Sequence, residues 1–256
     1  MDIRELRTEH IEFSGEIMDR VLRSAILNSN VIDVIQDNKR PFDELMSKYR
    51  CAIMEIETKF KVLNEQYSLQ YDRNPIETIK TRLKSMESIS RKLAQKGKSF
   101  SAKSMEENLD DIAGVRVICS FQEDIYTLAK CLLVDDIYEV AEMLVRQDDV
   151  TVIAIKDYIK NPKPSGYRSL HLIVRVPIFL QNEKCFMKVE VQLRTIAMDF
   201  WASLEHKLRY KKEIPEFEKD SLQKELFECA QMINTLDQRM EAVKNRLAAG
   251  GQWEKS

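Results

Sequence analysis

The sequence predicts an α+β fold in which a mixed β-sheet is flanked by helices. Apolar residues recur at spacings of three and four in the first third of the chain and again after residue 216, which is typical of amphipathic helices. Between residues 113 and 194 they alternate with polar residues, which is typical of half-buried strands. A sheet with helices on its faces buries both kinds of apolar surface.

The composition indicates an ordinary folded chain. Its 256 residues are 44% apolar, enough for one sizeable domain with helical extensions, and the net charge of −2 offers no overall case for binding DNA. The five cysteines are scattered without a C-x-x-C pair, which fits a reducing cytoplasm. The charged N-terminus lacks a signal-peptide core, and no segment approaches the roughly 18 apolar residues of a membrane span.

The first helix is expected to begin near Pro41, because proline is favoured at a first helical position. Its apolar stripe consists of Phe42, Leu45, Tyr49, Ile53, Ile56, Phe60, Leu63 and Tyr67. These residues are expected to form core and not a binding site.

A second helix is predicted from Asn74, as its cap, to a stop at Gly97. Eight basic residues lie between residues 80 and 103 against one acid, Glu87. On a helix, four of them would share one row from which they can converge on one ligand: Lys80, Lys84, Lys92 and Lys96. The segment is therefore either a phosphate site or a solvated helix face.

Four strands are expected after that helix, at Gly114–Phe121, Val150–Tyr158, Ser169–Val176 and Cys185–Arg194. Residues 124–147 fit one or two helices between the first two strands. The last two strands fit an antiparallel hairpin around residues 181–184, in which Pro177 can end its strand early. Helical patterns then return, first through Trp201 and His206 and then from about 216 to 249.

The predicted strands place polar side chains on one face of the sheet. By alternation, Glu190 and Gln192 point away from Val189 and Val191, and His171 and Arg116 have the same relation to their apolar neighbours. If the faces coincide, one surface carries four candidate site residues: Arg116, His171, Glu190 and Gln192. The alternative is a solvated face of an antiparallel sheet.

Two further features fit a nucleotide site. The loop at residues 161–171 contains two prolines and a glycine, so it can present Tyr167 to a base, although a loop tyrosine can also simply pack on the core. Asp110 and Asp111 lie at a strand entrance, where carboxylates can hold Mg²⁺ or merely cap a turn.

Four segments together resemble the synthetase domain of the RelA/SpoT family: DDIAGVRVI (110–118), SGYRSLH (165–171), VEVQLRT (189–195) and FWASLEHKLRYK (200–211). The resemblance covers about residues 39–212 and is greatest to stand-alone, RelQ- or RelP-like small alarmone synthetases. It implies a nucleotidyltransferase-like fold and synthesis of (p)ppGpp, by transfer of pyrophosphate from ATP to the 3′-hydroxyl of GDP or GTP with release of AMP. Residues 1–38 and 213–256 would be helical extensions, the latter for oligomerisation.

The resemblance also implies residue roles. The ATP phosphates would be bound by Arg82, Lys84, Lys92 and Arg116. The acceptor nucleotide would be bound by Tyr167, His171, Gln192, Lys163 and Asp199, the last at a position where some relatives carry Asn. Catalysis would rest on Glu190, Asp111 and Arg116, with Mg²⁺ held by Asp111 and Glu190.

Further implications concern activity and assembly. Family hydrolases use a His-Asp motif, and none of His10, His171 and His206 is followed by Asp, so synthesis without hydrolysis is expected. A homotetramer is expected, as in the RelQ-like members, because the C-terminal helix has apolar positions that a small domain leaves unburied. The expected location is the cytoplasm, and (p)ppGpp and single-stranded RNA are candidate regulators. The alternatives are a toxin that pyrophosphorylates tRNA or adenine nucleotides and an inactive nucleotide- or RNA-binding regulator. An RNA acceptor stays open because of four basic residues: Lys207, Arg209, Lys211 and Lys212.

Overall fold

The computed structural model describes residues 29–71, 74–132, 149–209 and 216–250. Its helices are α1 (Ser29–Tyr71), α2 (Met86–Gln95), α3 (Ala102–Asn108), α4 (Gln122–Leu132), α5 (Ile196–Arg209) and α6 (Glu216–Gly250). Its strands are β1 (Ile76–Leu83), β2 (Ala113–Cys119), β3 (Thr151–Asp157), β4 (Leu170–Phe179) and β5 (Lys184–Thr195). The predicted helix over 124–147 is confirmed as far as α4 extends, and its remainder lies outside the described residues. Within these ranges no helix is long and apolar enough to cross a membrane.

The strands form one mixed sheet in the order β1-β2-β5-β4-β3. Strands β2 and β5 are parallel, whereas β1–β2, β5–β4 and β4–β3 are antiparallel. The predicted α+β class and the β4–β5 hairpin are therefore confirmed. Because β2 and β5 lie at the centre, their polar positions are brought together in the middle of the sheet.

Helix α1 covers the apolar face of the sheet and contacts β1, β2, β4 and β5. Its side chains Tyr49, Ile56 and Phe60 are fully buried, as are Val117 and Val191 on the strands beneath. Burying one such side chain stabilises the fold by roughly 1.5–3 kcal/mol. The predicted apolar stripe is thus core, and the opposite face of the sheet is left for polar side chains.

The predicted helix over 74–97 is wrong in its first half, which forms β1. Ile76, Ile79 and Leu83 fit a helical repeat, but strand β2 offers an edge that pairs with β1 from Ile76 through Leu83. Those long-range hydrogen bonds override a local periodicity that cannot by itself separate a short strand from a helix. The helix begins only after Ser85, whose side chain accepts a hydrogen bond from the Ser88 amide.

Two proline-based expectations are also wrong. Helix α1 begins at Ser29 and contains Pro41 in its interior, which a helix accommodates by giving up one backbone hydrogen bond. Strand β4 continues through Pro177, which pairs with Phe186 of β5. Strand β3 pairs with β4 only as far as Arg175, so Pro177 occupies a local sheet edge where its missing N–H is tolerated.

Candidate active site

Cross-strand pairing lines up polar residues across the second face of the sheet. Lys80 pairs with Arg116, Arg116 with Gln192, and Gln192 with His171. Directly paired residues point to the same face. The predicted coincidence of Arg116, His171 and Gln192 is confirmed, and Glu190 lies two residues along β5 on the same side.

A pocket of about 390 Å³ opens at this face, over β1, β2 and β5. Four cationic and two acidic side chains are among the residues that line it. The lining residues are Lys80, Thr81, Arg82, Lys84, Asp111, Gly114, Val115, Arg116, Glu190 and Gln192. This surplus of positive charge in a concave site is suited to a polyphosphate.

Asp111, just before β2, forms ion pairs with two lysines of the basic segment at residues 80–103. Its Oδ2 accepts hydrogen bonds from Lys84 Nζ at 2.6 Å and from Lys92 Nζ at 2.7 Å. Burial raises the pKa of Asp111, but the two lysines outweigh burial and hold the pKa below its ordinary value, so the group is ionised at neutral pH. Its Oδ1 is buried and has no hydrogen-bond partner within the described residues.

The four lysines expected in one helical row converge only in part. Lys84 on the β1–α2 connection and Lys92 on α2 meet at Asp111. Lys80 on β1 instead reaches Asp199, and Lys96 donates to the backbone carbonyl of Asn108. The convergence of Lys84 and Lys92 was predicted for the wrong reason, because strand and helix bring them together instead of one helix.

Glu190 is held by a closed ring of five side chains. Its Oε1 lies 3.1 Å from His171 Nδ1, and its Oε2 accepts from Gln192 Nε2 at 2.8 Å. His171 Nε2 lies 2.8 Å from the Tyr167 hydroxyl. Arg194 closes the ring by donating to that hydroxyl at 2.5 Å and to Gln192 Oε1 at 2.8 Å.

Each hydrogen bond of the ring has a defined donor and acceptor. Burial lowers the pKa of His171, so the imidazole is neutral at neutral pH. Since Arg194 only donates and an ionised Glu190 only accepts, His171 donates from Nδ1 to Glu190 and accepts from Tyr167 at Nε2. Burial also raises the pKa of Glu190, but the bonds from His171 and Gln192 leave it below its ordinary value. Glu190 is therefore an oriented carboxylate that lines the pocket.

Asp199, in the first turn of α5, contacts three cationic side chains. Lys80 Nζ lies 2.8 Å from its Oδ2, while Arg116 and Arg194 donate to its Oδ1 at 3.1 and 3.3 Å. Burial raises the pKa of Asp199, but these cations hold it below its ordinary value. Through Arg194, Asp199 is linked to the ring around Glu190, and through Arg116 to the pocket.

The loop that carries Tyr167 packs closely on its surroundings. Lys163 Nζ lies 4.8 Å from the centroid of the Tyr167 ring and 4.7 Å from that of Tyr158. Gly166 has φ of +86°, and a Cβ placed there would lie 2.5 Å from the Cβ of Ala230 on α6. The C-terminal helix therefore supports the loop directly.

All the site residues predicted from the sequence lie in or beside this pocket. Six line it: Arg82, Lys84, Asp111, Arg116, Glu190 and Gln192. Lys92, His171 and Asp199 touch lining residues, Tyr167 bonds His171, and Lys163 lies over the Tyr167 ring. Sequence reasoning did not assign Arg194 to the site, although Arg194 has the strand parity of Glu190 and Gln192. Lys80 was included only in the predicted lysine row and was given no individual role.

A cation-lined pocket with two carboxylates is typical of enzymes that transfer phosphoryl groups. The family described as a region found in RelA / SpoT proteins matches residues 81–215. GTP pyrophosphokinase YwaC of Bacillus subtilis is 44% identical over 201 residues, covering 78% of this chain and 88% of that protein. The chain belongs to the RelA/SpoT family.

Solved structures agree in fold. The crystal structure of small alarmone synthetase 2 from Bacillus subtilis matches with a TM-score of 0.67 at 40% identity, over 80% of this chain and 98% of that one. Small alarmone synthetase 1 from Bacillus subtilis, bound to its product pppGpp, matches with a TM-score of 0.69 at 31% identity, over 82% and 99%. The resemblance recognised from four sequence segments is confirmed over most of the chain.

Proposed function

We propose that this protein is a (p)ppGpp synthetase, which transfers the β,γ-pyrophosphoryl group of ATP to the 3′-hydroxyl of GDP or GTP. The acceptor 3′-oxygen forms a bond to the β-phosphorus as the bond between that phosphorus and the α,β-bridging oxygen breaks. AMP leaves with the bridging oxygen, and the hydroxyl proton passes to Glu190 or to water. The relatives named GTP pyrophosphokinase support this reaction.

The observation that carries the proposal is the position of Glu190 in a pocket lined by cations. Its carboxylate is fixed by His171 and Gln192 and faces a cavity that also contains Lys80, Arg82 and Arg116. Phosphoryl transfer needs positioning and charge neutralisation more than covalent help from the protein. A fixed carboxylate for the acceptor hydroxyl, beside cations for the phosphates, supplies both.

The donor side of the pocket is assigned to ATP. Arg82, Lys84 and Arg116 line it and would bind the phosphates together with Lys92, which reaches the site from α2 at the carboxylate it shares with Lys84. Because both lysines now neutralise Asp111, a polyphosphate would draw them away and leave that carboxylate available to a cation.

The site fits Mg²⁺. Asp111 Oδ1 is buried and has no partner within the described residues, and the charge of Asp111 reaches Glu190, where it acts to raise the pKa. In the described parts of the chain no cluster of three or more His, Cys, Asp or Glu could hold a metal, so phosphate oxygens would complete its shell, as is usual for Mg²⁺. When bound, Mg²⁺ would neutralise charge on the transferred group.

The acceptor side is assigned to the residues around the Glu190 ring. Tyr167 would stack on guanine, with His171, Gln192 and Asp199 positioning the nucleotide and Lys163 near its 5′-phosphates. Lys163 and Arg194 already lie about the Tyr167 ring, 4.8 and 5.0 Å from its centroid. A guanine stacked there would displace one of these cations and keep the aromatic contact.

We further propose a cytoplasmic homotetramer. Helix α6 turns Ala230, Asp237 and Glu241 towards the catalytic domain but exposes a second, apolar stripe: Met232, Leu236, Met240, Val243 and Leu247. A second copy of the chain is the occupant favoured for that stripe.

We assign residues 39–212 to the synthetase domain and residues 1–38 and 213–256 to extensions. The candidate regulators are (p)ppGpp and single-stranded RNA.

The test is to incubate the purified protein with ATP, Mg²⁺ and one acceptor at a time, and to identify the products by mass spectrometry. GDP and GTP should give ppGpp and pppGpp with one AMP per product. Separate reactions with ADP and with tRNA measure the alternative acceptors. Absence of a guanosine 3′-diphosphate product, or pyrophosphorylation of tRNA in its place, would overturn the proposal.

A further inference from the structure

A buried carboxylate on the C-terminal helix has no part in the site described above. Asp237 of α6 is 7% exposed. Its Oδ2 accepts a hydrogen bond from the Thr195 hydroxyl at 2.7 Å and another from Gln122 Nε2 at 3.3 Å. A carboxylate is rarely buried without a reason, because leaving water is unfavourable for it.

The partner of Asp237 is the residue that caps α5. Thr195 is the last residue of β5 and is fully buried, and its Oγ1 accepts a hydrogen bond from the Met198 amide at 3.2 Å. Because that oxygen accepts from the helix, its own proton goes to Asp237. Asp199 follows Met198 directly, so the chain of hydrogen bonds ends one residue from a site carboxylate.

Helix α6 does not depend on Asp237 alone to dock. Trp201 Nε1 donates to the Leu226 carbonyl at 3.0 Å, and Glu241 accepts from the Glu123 amide at 2.8 Å. These contacts lie on either side of Asp237 along the helix. Loss of the Asp237 contact would therefore let the Thr195 hydroxyl rotate, and so loosen the α5 cap, without detaching the helix.

We propose that Asp237 is a positioning residue, which fixes the first turn of α5 through the Thr195 hydroxyl and so holds the Asp199 carboxylate between Lys80, Arg116 and Arg194. This role rests on the proposed function of the site. It gives the C-terminal helix a task in catalysis besides any task in assembly.

The test compares four single variants and one double variant in the whole 256-residue chain. Thr195→Val and Asp237→Leu remove the link at similar volume, whereas Thr195→Ser and Asp237→Asn retain a hydroxyl or an acceptor oxygen. The first pair should lower kcat/KM for ATP and GDP by about tenfold or more, because small displacements in such sites are costly. The second pair should stay near the wild type, and the double variant Thr195→Val/Asp237→Leu should be little worse than either single one.

Glu241→Gln is the matched control, because it weakens a neighbouring contact of α6 that does not involve Thr195. It should change the melting temperature without changing kcat/KM. A merely structural Asp237 would give variants that melt earlier but turn over normally when folded, and that result would overturn the proposal.

A readout independent of turnover is hydrogen–deuterium exchange of the peptide that covers residues 195–201. Exchange should accelerate in Thr195→Val and Asp237→Leu but not in Glu241→Gln. Unchanged exchange would refute the link even if the wild type made no product, whereas an inactive wild type with accelerated exchange in the variants would count against the proposed function alone.

Discussion

His171 and Glu190 are joined by a 3.1 Å contact between Nδ1 and Oε1, although they are not register partners. His171 pairs with Gln192, and Glu190 pairs with Ile173. The contact therefore runs diagonally across β4 and β5, within reach of long side chains. It orients Glu190 towards the pocket through a proton on Nδ1, and the neutral imidazole leaves Nε2 free to accept from the Tyr167 hydroxyl.

The burial of His171 predicts how stability depends on pH, because burial outweighs the contact with Glu190, which acts to raise the pKa. Burial lowers the pKa of His171 from its ordinary 6.5, so the unfolded chain binds a proton more readily than the folded protein. The free energy of unfolding should begin to fall as the pH drops below about 6.5. It should fall again below about 4, because the pKa values of Asp111, Glu190 and Asp199 are lowered by folding and their stabilisation is lost on protonation.

Urea unfolding between pH 4.5 and 8, for the wild type and for His171→Gln, measures the first stage. The glutamine variant does not titrate and should lose the decline that begins near pH 6.5. The same decline in both proteins would mean that His171 is not its source.

Gly166→Ala tests the support of the Tyr167 loop by α6. The change should destabilise the fold by about 1 kcal/mol through its positive φ, and by more through the clash with Ala230. Gly97→Ala is the control, since Gly97 has φ of +64° and nothing within 4 Å of a new Cβ. Only Gly166→Ala should raise the KM for GDP. If Gly166→Ala and Gly97→Ala changed stability and KM by the same amounts, the loop would not need α6.

Arg194→Lys tests the buried guanidinium that joins the two halves of the site. Arg194 is 4% exposed and donates to Tyr167, Gln192 and Asp199, a fork that lysine cannot reproduce. We expect a loss of about 2–3 kcal/mol in unfolding free energy and higher KM values for both substrates. Arg175→Lys, at an exposed position on β4, is the control for chemical denaturation and kinetics. Wild-type KM values in Arg194→Lys would contradict the linking role.

The sequence was sufficient for much of this site because strand alternation is a local rule. Parity alone placed Glu190 and Gln192 on one face, and parallel pairing of β2 with β5 then aligned Arg116 with them. The local pattern gave the wrong element at β1. There Ile76, Ile79 and Leu83 have helical spacing, but the segment pairs with β2 as a strand.

Contacts over long sequence distances were beyond local reasoning. The Lys80–Asp199 pair joins residues 119 apart, and its geometry depends on how α5 leaves the sheet. In the sequence, Asp237 cannot be told from the other acidic residues of a charged helix, and only the fold brings it to Thr195. Neither has a short-range signal in the sequence.

The proposed tetramer predicts an effect of the exposed stripe on α6. Leu236→Gln combined with Met240→Gln, at positions 58% and 54% exposed, should lower the mass measured by light scattering at micromolar concentration. Lys224→Gln on the same helix is the polar control and should leave the mass unchanged. A wild-type protein that is monomeric at this concentration would contradict the proposal.

The most direct test of the catalytic assignment is single-turnover synthesis of ppGpp from ATP and GDP by Glu190→Gln. Glutamine keeps the shape of the side chain and one acceptor oxygen but removes its charge, so the rate should fall by at least roughly a hundredfold, while the affinity for a non-hydrolysable ATP analogue changes little. Because the glutamine amide nitrogen cannot accept, one of the two hydrogen bonds from His171 and Gln192 is lost, and the melting temperature should fall only modestly. Glu183→Gln, which alters only an ion pair with Lys48 at the hairpin turn, should react like the wild type. If Glu190→Gln melts much earlier but its folded fraction makes ppGpp at the wild-type rate, Glu190 is a structural partner of His171 and the assignment of this face as the catalytic centre is wrong.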